Sequence, residues 1–483
     1  MKTFFQFCWM PLILGHSLLS ICAPAPWTAE EKLSTDSITE NAYIGWVLAH
    51  HPLAKKAETL GDEAAAYLRK ARGNFDPKIS ASSYRKLFRN ELYYDLPSAS
   101  ISGATRLGVR PFLSFVQPTG EKLNPERQVP ESGQLTGGIQ IPLGKNLITD
   151  AARTELQKAH SYVEANTAER IEQINKLVLT AAKAYWKWWK IQEETDLVKE
   201  VLDLAILRAD QIQIAHDLGD LPAIDTLEAR LQAQQREAEF WQTQSALANA
   251  RAEAMSHLWR ENGQPAIPSA NLRPKGTQAG ELNFAAASHL ASASNWSPQL
   301  HPRVQSQVAK LEMARTEVQF RRDQLKPELN LTVAALSGPQ GPWDGGEWPS
   351  ENWQQSNLIG FQTSLPLFLR KERGMLQLAH ISAAQKSYDL MSQSAELQAN
   401  VQGRANGLMA LRQAADLSEQ VATGNRKLLE AEMVRFEMGE SSLFQVNYRE
   451  NQWLKLKKEA IASEMNWAVG VRELGYALGH VGH

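Results

Sequence analysis

Between Gly144 and Gly219 the chain runs seventy-four residues without a glycine or a proline. At ~1.5 Å per residue an unbroken helix of that length reaches on the order of 100 Å, longer than an ordinary domain is wide. Few folds can hold such a rod. Its apolar positions Ile171, Ile174, Val178, Ala181, Tyr185 and Trp188 alternate steps of three and four, the seam of a coiled coil. Lys, Glu, Gln and Asp occupy the remaining faces, so the helix must bury its seam against other helices. Trp186, Trp188 and Trp189 read as packing residues of the rod.

Gly219 followed by Pro222 stops this helix and starts a second helical run to about Arg260, which makes a helical hairpin with a tight tip. The chain then repeats itself. Arg153, Leu156, Gln157, Ala159 and His160 return 220 positions later as Arg373, Leu376, Gln377, Ala379 and His380, and Gly219 returns as Gly439. The same offset pairs Leu197 with Leu417 and Val201 with Val421. Upstream the offset is 250, with His51-Pro52, Ala64, Arg72 and Pro77 recurring as His301-Pro302, Ala314, Arg322 and Pro327. Two copies imply pseudo-symmetry and not an array of repeats. The division is an N-terminal segment 1–22, a first repeat 38–262, a linker 263–300 rich in Pro, Ser, Ala and Asn, and a second repeat 301–480.

After Pro327 the period changes to two. Leu329, Leu331 and Val333 alternate with Asn330, Thr332 and Ala334, and Ile359 and Phe361 alternate with Gly360 and Gln362, as in strands with unlike faces. The loop between them carries Trp343, Trp348 and Trp353, which reads as a surface cap. The matching interval of the first copy, Pro77 to Pro142, is 26 residues longer and holds Tyr84, Phe88, Tyr93, Tyr94, Phe112 and Phe115. Each copy is expected to be helix, two strands, long helix, turn, helix.

The apolar run Phe4 to Ile21 after Lys2, ending in Ala23-Pro24-Ala25, reads as a secretory signal peptide. A membrane anchor and lipid attachment at Cys22 are the other two readings. Cys8 and Cys22 are the only cysteines, which suits an oxidising compartment without needing disulfides. No later apolar stretch approaches the ~20 residues of a membrane helix, so any crossing is by β-strands. A net charge of −2 gives no sign of a nucleic-acid partner. No His-Glu-x-x-His, Gly-x-Ser-x-Gly or phosphate-loop pattern occurs, and no metal or other cofactor is expected. The terminal His480 and His483 read as a tail and not as a metal site.

Long helices joined to isolated two-strand units leave open sheet edges, which vanish when several chains close one barrel. The order of elements, the duplication, the His-Pro openings, the pairs Pro142-Leu143 and Pro366-Leu367 and the tip Arg435, Phe436, Gly439, Ser442 resemble the TolC-type outer-membrane efflux proteins, the outer membrane factors. The resemblance spans roughly residues 38 to 480. It implies a mainly α fold with a membrane β-barrel portion, in a homotrimer where four strands per chain close a twelve-strand barrel continuous with a periplasmic helical tunnel. It also implies a passive exit duct for a tripartite pump or type I secretion, working with a periplasmic adaptor and an inner-membrane transporter and embedded in outer-membrane lipid. The chain is expected not to be an enzyme. The competing reading is a periplasmic coiled-coil scaffold or adaptor without a pore.

Two groups of residues carry the functional expectations. Leu218, Gly219, Leu221, Met438, Gly439, Ser441, Ser442 and Leu443 surround the tips and would dock the adaptor; the plainer reading of the glycines is a helix-ending turn. Asp225 and Glu228 stand three apart and put two carboxylates on one helix face, so a trimer would ring its tunnel with acids and gate it. Their plainer role is to favour the helix macrodipole. The equivalent second-copy positions, Gln445 and Tyr448, carry no acid.

Overall fold

The computed structural model describes residues 36–269, 271–277, 279–336 and 356–480. The segment 1–22, the three tryptophans of the second hairpin loop and His483 lie outside the described residues.

The long rod forms as its composition requires. Helix α3 (Ala151–Asp217, 67 residues) starts where the Asp150 carboxylate accepts the Arg153 N–H at 2.8 Å, satisfying a donor that the first turn leaves free. It runs to Gly219, whose φ of +88° only glycine adopts without strain. Helix α4 (Ala223–Met255) returns beside it. In the second copy α7 (Arg370–Glu437, 68 residues) ends at Gly439 with φ +74°, and α8 (Leu443–Leu478) returns.

The shorter helices are α1 (Glu40–His50), α2 (Pro52–Arg72) and α6 (Pro302–Asp323). Each His-Pro pair is a helix start. The ring nitrogens of His51 and His301 accept the N–H groups of Leu53 and Arg303 at 3.1 Å, and the proline stands where no N–H is needed. Helices α2, α3, α6 and α7 lie side by side in that order, with α4 on α3 and α8 on α7. The core sits midway along the rods, where Tyr43, Tyr185, Trp186, Trp188 and Trp467 are buried. Here strand β1 (Ser37–Thr39) pairs with a strand from residues 263–300 (Arg273–Lys275), and helix α5 (Ala279–Ser294) from the same segment packs on α8. The Tyr185 hydroxyl ties rod to belt, lying 2.9 and 2.6 Å from the Ile38 and Lys275 carbonyls.

One end of the helix layer carries a sheet. The second copy supplies the two expected strands, Glu328–Leu336 and Asn357–Ser364, paired antiparallel. The first copy departs from the expectation of two. It supplies β2 (Lys78–Ser82), β5 (Ser98–Ser102), β6 (Arg110–Val116) and β7 (Gln134–Pro142), while β3 (Arg85–Phe88) and β4 (Glu91–Asp95) pair as a separate hairpin. Counting Arg273–Lys275 as β8 and the second-copy strands as β9 and β10, the sheet order is β10-β9-β7-β6-β5-β2, antiparallel throughout. The extra reversals are local. Arg89 and Asn90, at φ +49° and +66°, make a two-residue hairpin turn, and Thr105 closes the β5–β6 turn on the Val109 carbonyl.

The registers give this sheet two unlike faces. Ile79, Ile101, Leu113, Ile139, Val333 and Ile359 share one, and Ser80, Ser100, Ser114, Gln140, Thr332 and Gly360 share the other. No described residue covers the apolar face, where Ile79 is 81% and Ile359 66% exposed.

Candidate functional site: the helical tips

Both hairpin tips close alike and differ in their caps. The Leu218 and Met438 N–H groups donate to Ile214 and Val434, and the residues after each glycine, Asp220 and Glu440, donate back to Ala215 and Arg435. Ser442 caps α8 by accepting the Gln445 N–H at 3.4 Å, whereas Pro222 at the matching point of α4 gives no side-chain cap. His216 fills in on the first tip, its Nδ1 lying 2.8 Å from the Leu221 carbonyl.

The expected docking residues separate into two sets. Leu218 and Met438 are exposed at 75% and 61% and stand on the outside. Leu443, read from sequence as surface, is buried with Ile212 and Ala229, and Leu221 and Phe436 pack on this small core, which joins the two tips. Ser441 donates to Glu432 and so braces the second tip internally. Asp225 and Glu228 share the first turns of α4 as their spacing requires, both half-buried. Glu228 is engaged, accepting the Asn447 side-chain amide at 3.0 Å.

That contact leads into a polar network which sequence reasoning missed. Arg208 of α3 donates to Glu450 of α8 at 2.8 Å and to Asn447 at 3.3 Å, while Arg236 of α4 donates to Glu239 at 2.7 Å and to Asn451. Lys458 completes the row on Glu239. Arg236 and Glu450 are 3% and 2% exposed, so the charges are buried and hold only as a set. Burial alone would push the Glu239 carboxyl up; hydrogen bonds from Lys458 and Arg236 outweigh it and hold the group below its ordinary range. The available signal was spacing, since Asn447, Glu450, Asn451 and Lys458 recur at three, four and seven along one face of α8. The network can latch α3, α4 and α8 together at the tip. Among the described residues no group of His, Cys, Asp or Glu is arranged to hold a metal ion.

Residues 297–480, the second copy, match the sequence model of the family described as outer membrane efflux protein. No curated protein matches the sequence. Solved structures match along nearly the whole chain. The CmeC outer membrane channel of Campylobacter jejuni is 14% identical with a TM-score of 0.62, over 91% of this chain and 85% of that one. VceC, an outer membrane protein of Vibrio cholerae, is 16% identical with a TM-score of 0.61, over 91% and 96%. The open state of the MtrE outer membrane channel of Neisseria gonorrhoeae is 16% identical with a TM-score of 0.62, over 91% and 89%. The fold is therefore that of outer-membrane channels. Residues 297–480 thus carry the sequence pattern of the outer membrane efflux protein family, and the chain as a whole has the fold of these channels.

Proposed function

We propose that three copies form the exit duct of a tripartite efflux or type I secretion system, receiving substrate from an inner-membrane transporter through a periplasmic adaptor. The carrying observation is the two-faced sheet, whose large aliphatic residues gather on one face while Ser, Thr and Gln predominate on the other beside Phe112, Val116, Leu336 and Leu358, with edges at β2 and β10 that no other described strand pairs. Such a sheet suits lipid outside and water inside once its edges are closed by other copies. The helices support the same reading. Outward-facing Leu378, Ile381, Tyr388, Leu417, Val421 and Leu428 on α7, and Ile224, Leu227, Leu231 and Trp241 on α4, remain bare within one chain. A neighbouring α4 against α7 would cover both stripes, and the paired edges would turn the layer into a tunnel.

In this reading Leu218, Gly219, Leu221, Met438, Gly439, Ser441, Ser442 and Leu443 make the adaptor-facing tips. Leu218 and Met438 supply the contact surface, and the others set its shape. Asp225 and Glu228 form the acidic gate, with Glu228 bound to the latch on α8. The first test is extraction and conductance. The protein should need detergent, run as a trimer and conduct ions in planar bilayers; release by osmotic shock would return the scaffold reading. Asp225→Asn with Glu228→Gln should lower cation preference, and an unchanged preference would remove these acids from the gate.

A further inference from the structure

We infer that each chain contributes six strands to the barrel wall, so that three copies close a barrel of eighteen strands and not the twelve that two strands per repeat would give. The inference rests on the trimeric reading above. It turns on whether β2 and β5 belong to the wall or lie against it as an accessory flap.

Four observations place them in the wall. The far edge of β6 is already occupied, since β5 pairs with it from Ser98 opposite Val116 to Ser102 opposite Phe112, and β2 then pairs with β5 over its whole length. A neighbour's β10 can reach β6 only by displacing β5. The alternation is also in phase across these pairs. Ile79, Ala81, Ala99 and Ile101 fall on the face of Leu113 and Phe115, and serines fill the opposite face. A flap outside the barrel would set its serines or its isoleucines against the wrong medium.

Direction and tilt agree. Strands alternate in sense across the six-stranded sheet, so β10 of one copy meets β2 of the next antiparallel, as every pair within that sheet does. Lys78 and Glu328 open equivalent strands, 250 positions apart. Continuing the hydrogen-bonded registers from Glu328 across β7, β6 and β5 arrives at the level of Arg72, six residues below Lys78. An offset of six residues over four strand steps, at ~3.3 Å per residue and ~4.8 Å per step, is a tilt of about 45°, that of a membrane barrel wall.

The short β2 and β5 gain length from the hairpin above them. The Leu96 N–H donates to the Tyr84 carbonyl at 3.0 Å, which continues the pairing into β3 and β4. The arms then run from Lys78 to Phe88 and from Glu91 to Ser102, against the ~9–11 residues of a tilted membrane strand. Phe88, Tyr93 and Tyr94 stand on the far section, where Lys86 lies 5.1 Å from the Tyr93 ring, as suits a headgroup level. Because barrel diameter grows about linearly with strand number, the mouth has about twice the cross-section of a twelve-strand one.

The test is a strand count by cryo-electron microscopy of the full chain purified in detergent, with oxidative cross-linking beside it. A trimer with eighteen strands is expected, as is a covalent trimer from Ser364→Cys combined with Ser80→Cys or Ser82→Cys on the polar face. A trimer with twelve strands, or cross-linking through Ser364→Cys with Ser114→Cys instead, overturns the six-strand wall and leaves the channel reading standing. A monomer with no barrel overturns both.

Discussion

Val201 and Val421 are the same residue at equivalent points of two helices of nearly equal length, and they live in opposite surroundings. Val201 is 1% exposed and Val421 46%, and the neighbouring pair Leu197 and Leu417 divides in the same way. Helix α3 buries twenty-three of its residues within the chain and α7 only seven. The reason is position. Helix α3 has α2, α4, α6 and α8 around it, whereas α7 is the last rod of the layer and has neighbours on one side only. Its buried Val401, Leu408, Ala415, Ala422 and Leu429 repeat every seven residues, one seam turned inward. Duplication copied the helix and its register but not its environment, and an unspent apolar stripe on the second copy is what remains for another chain to cover.

The sharpest way to break this comparison is to place a charge at both valines. Val201→Asp should cost roughly 4 kcal/mol or more and prevent folding, because a buried carboxylate without a partner is among the largest single penalties known. Circular dichroism and thermal unfolding would read it. Val421→Asp should leave helix content nearly intact and instead shift the detergent-solubilised protein from trimer to monomer in size-exclusion chromatography. Equal loss of fold from both substitutions would show that the copies are not differently enclosed.

Acid offers a smaller and more even perturbation. Burial pushes the imidazoles of His51 and His301 below their ordinary value, as it does those of His257 and His289. The folded state thus favours the neutral rings. Their contribution is complete above the unfolded value of about 6.5 and is lost as pH falls below it, when the unfolded chain takes up the protons. Thermal midpoints should therefore drop between pH 7 and pH 5. His301→Gln should flatten that slope more than a substitution at exposed His160.

The smallest expected difference lies at the tips. Ser442→Ala should cost about 1 kcal/mol by removing a cap, while Pro222→Ala should lose no cap because none is there. Local hydrogen exchange at the first turns of α4 and α8 would separate the two. A matching effect at Pro222 would mean that the tips are capped alike after all.

Much of this architecture could be read from the chain. The rods, their tips and their seam were legible because helix breakers are absent over long spans and apolar steps keep to three and four. Strands β9 and β10 were legible because large apolar residues alternate with polar ones. Strands β2 and β5 were not, since Ser and Ala dominate them and leave Ile79 and Ile101 as the only large signals. The tip network was hidden for the opposite reason. Arg236 and Glu450 look like solvated charges in sequence, and only the convergence of α3, α4 and α8 buries them. The burial of Leu443 was not legible, because a residue next to a turn is usually outside, whereas here two tips share a core.

The unpaired rims of β2 and β10 bear on synthesis as much as on transport. A single copy presents two backbone templates beside an oily face, the combination that seeds intermolecular β aggregation. Under the trimeric proposal, productive encounter requires three such copies, so its rate falls steeply on dilution, while capture by any exposed strand does not need like partners. The yield of the proposed assembly is then a race between closure and misassembly, won by supplying chains close together in time and place or by shielding each until its neighbours arrive.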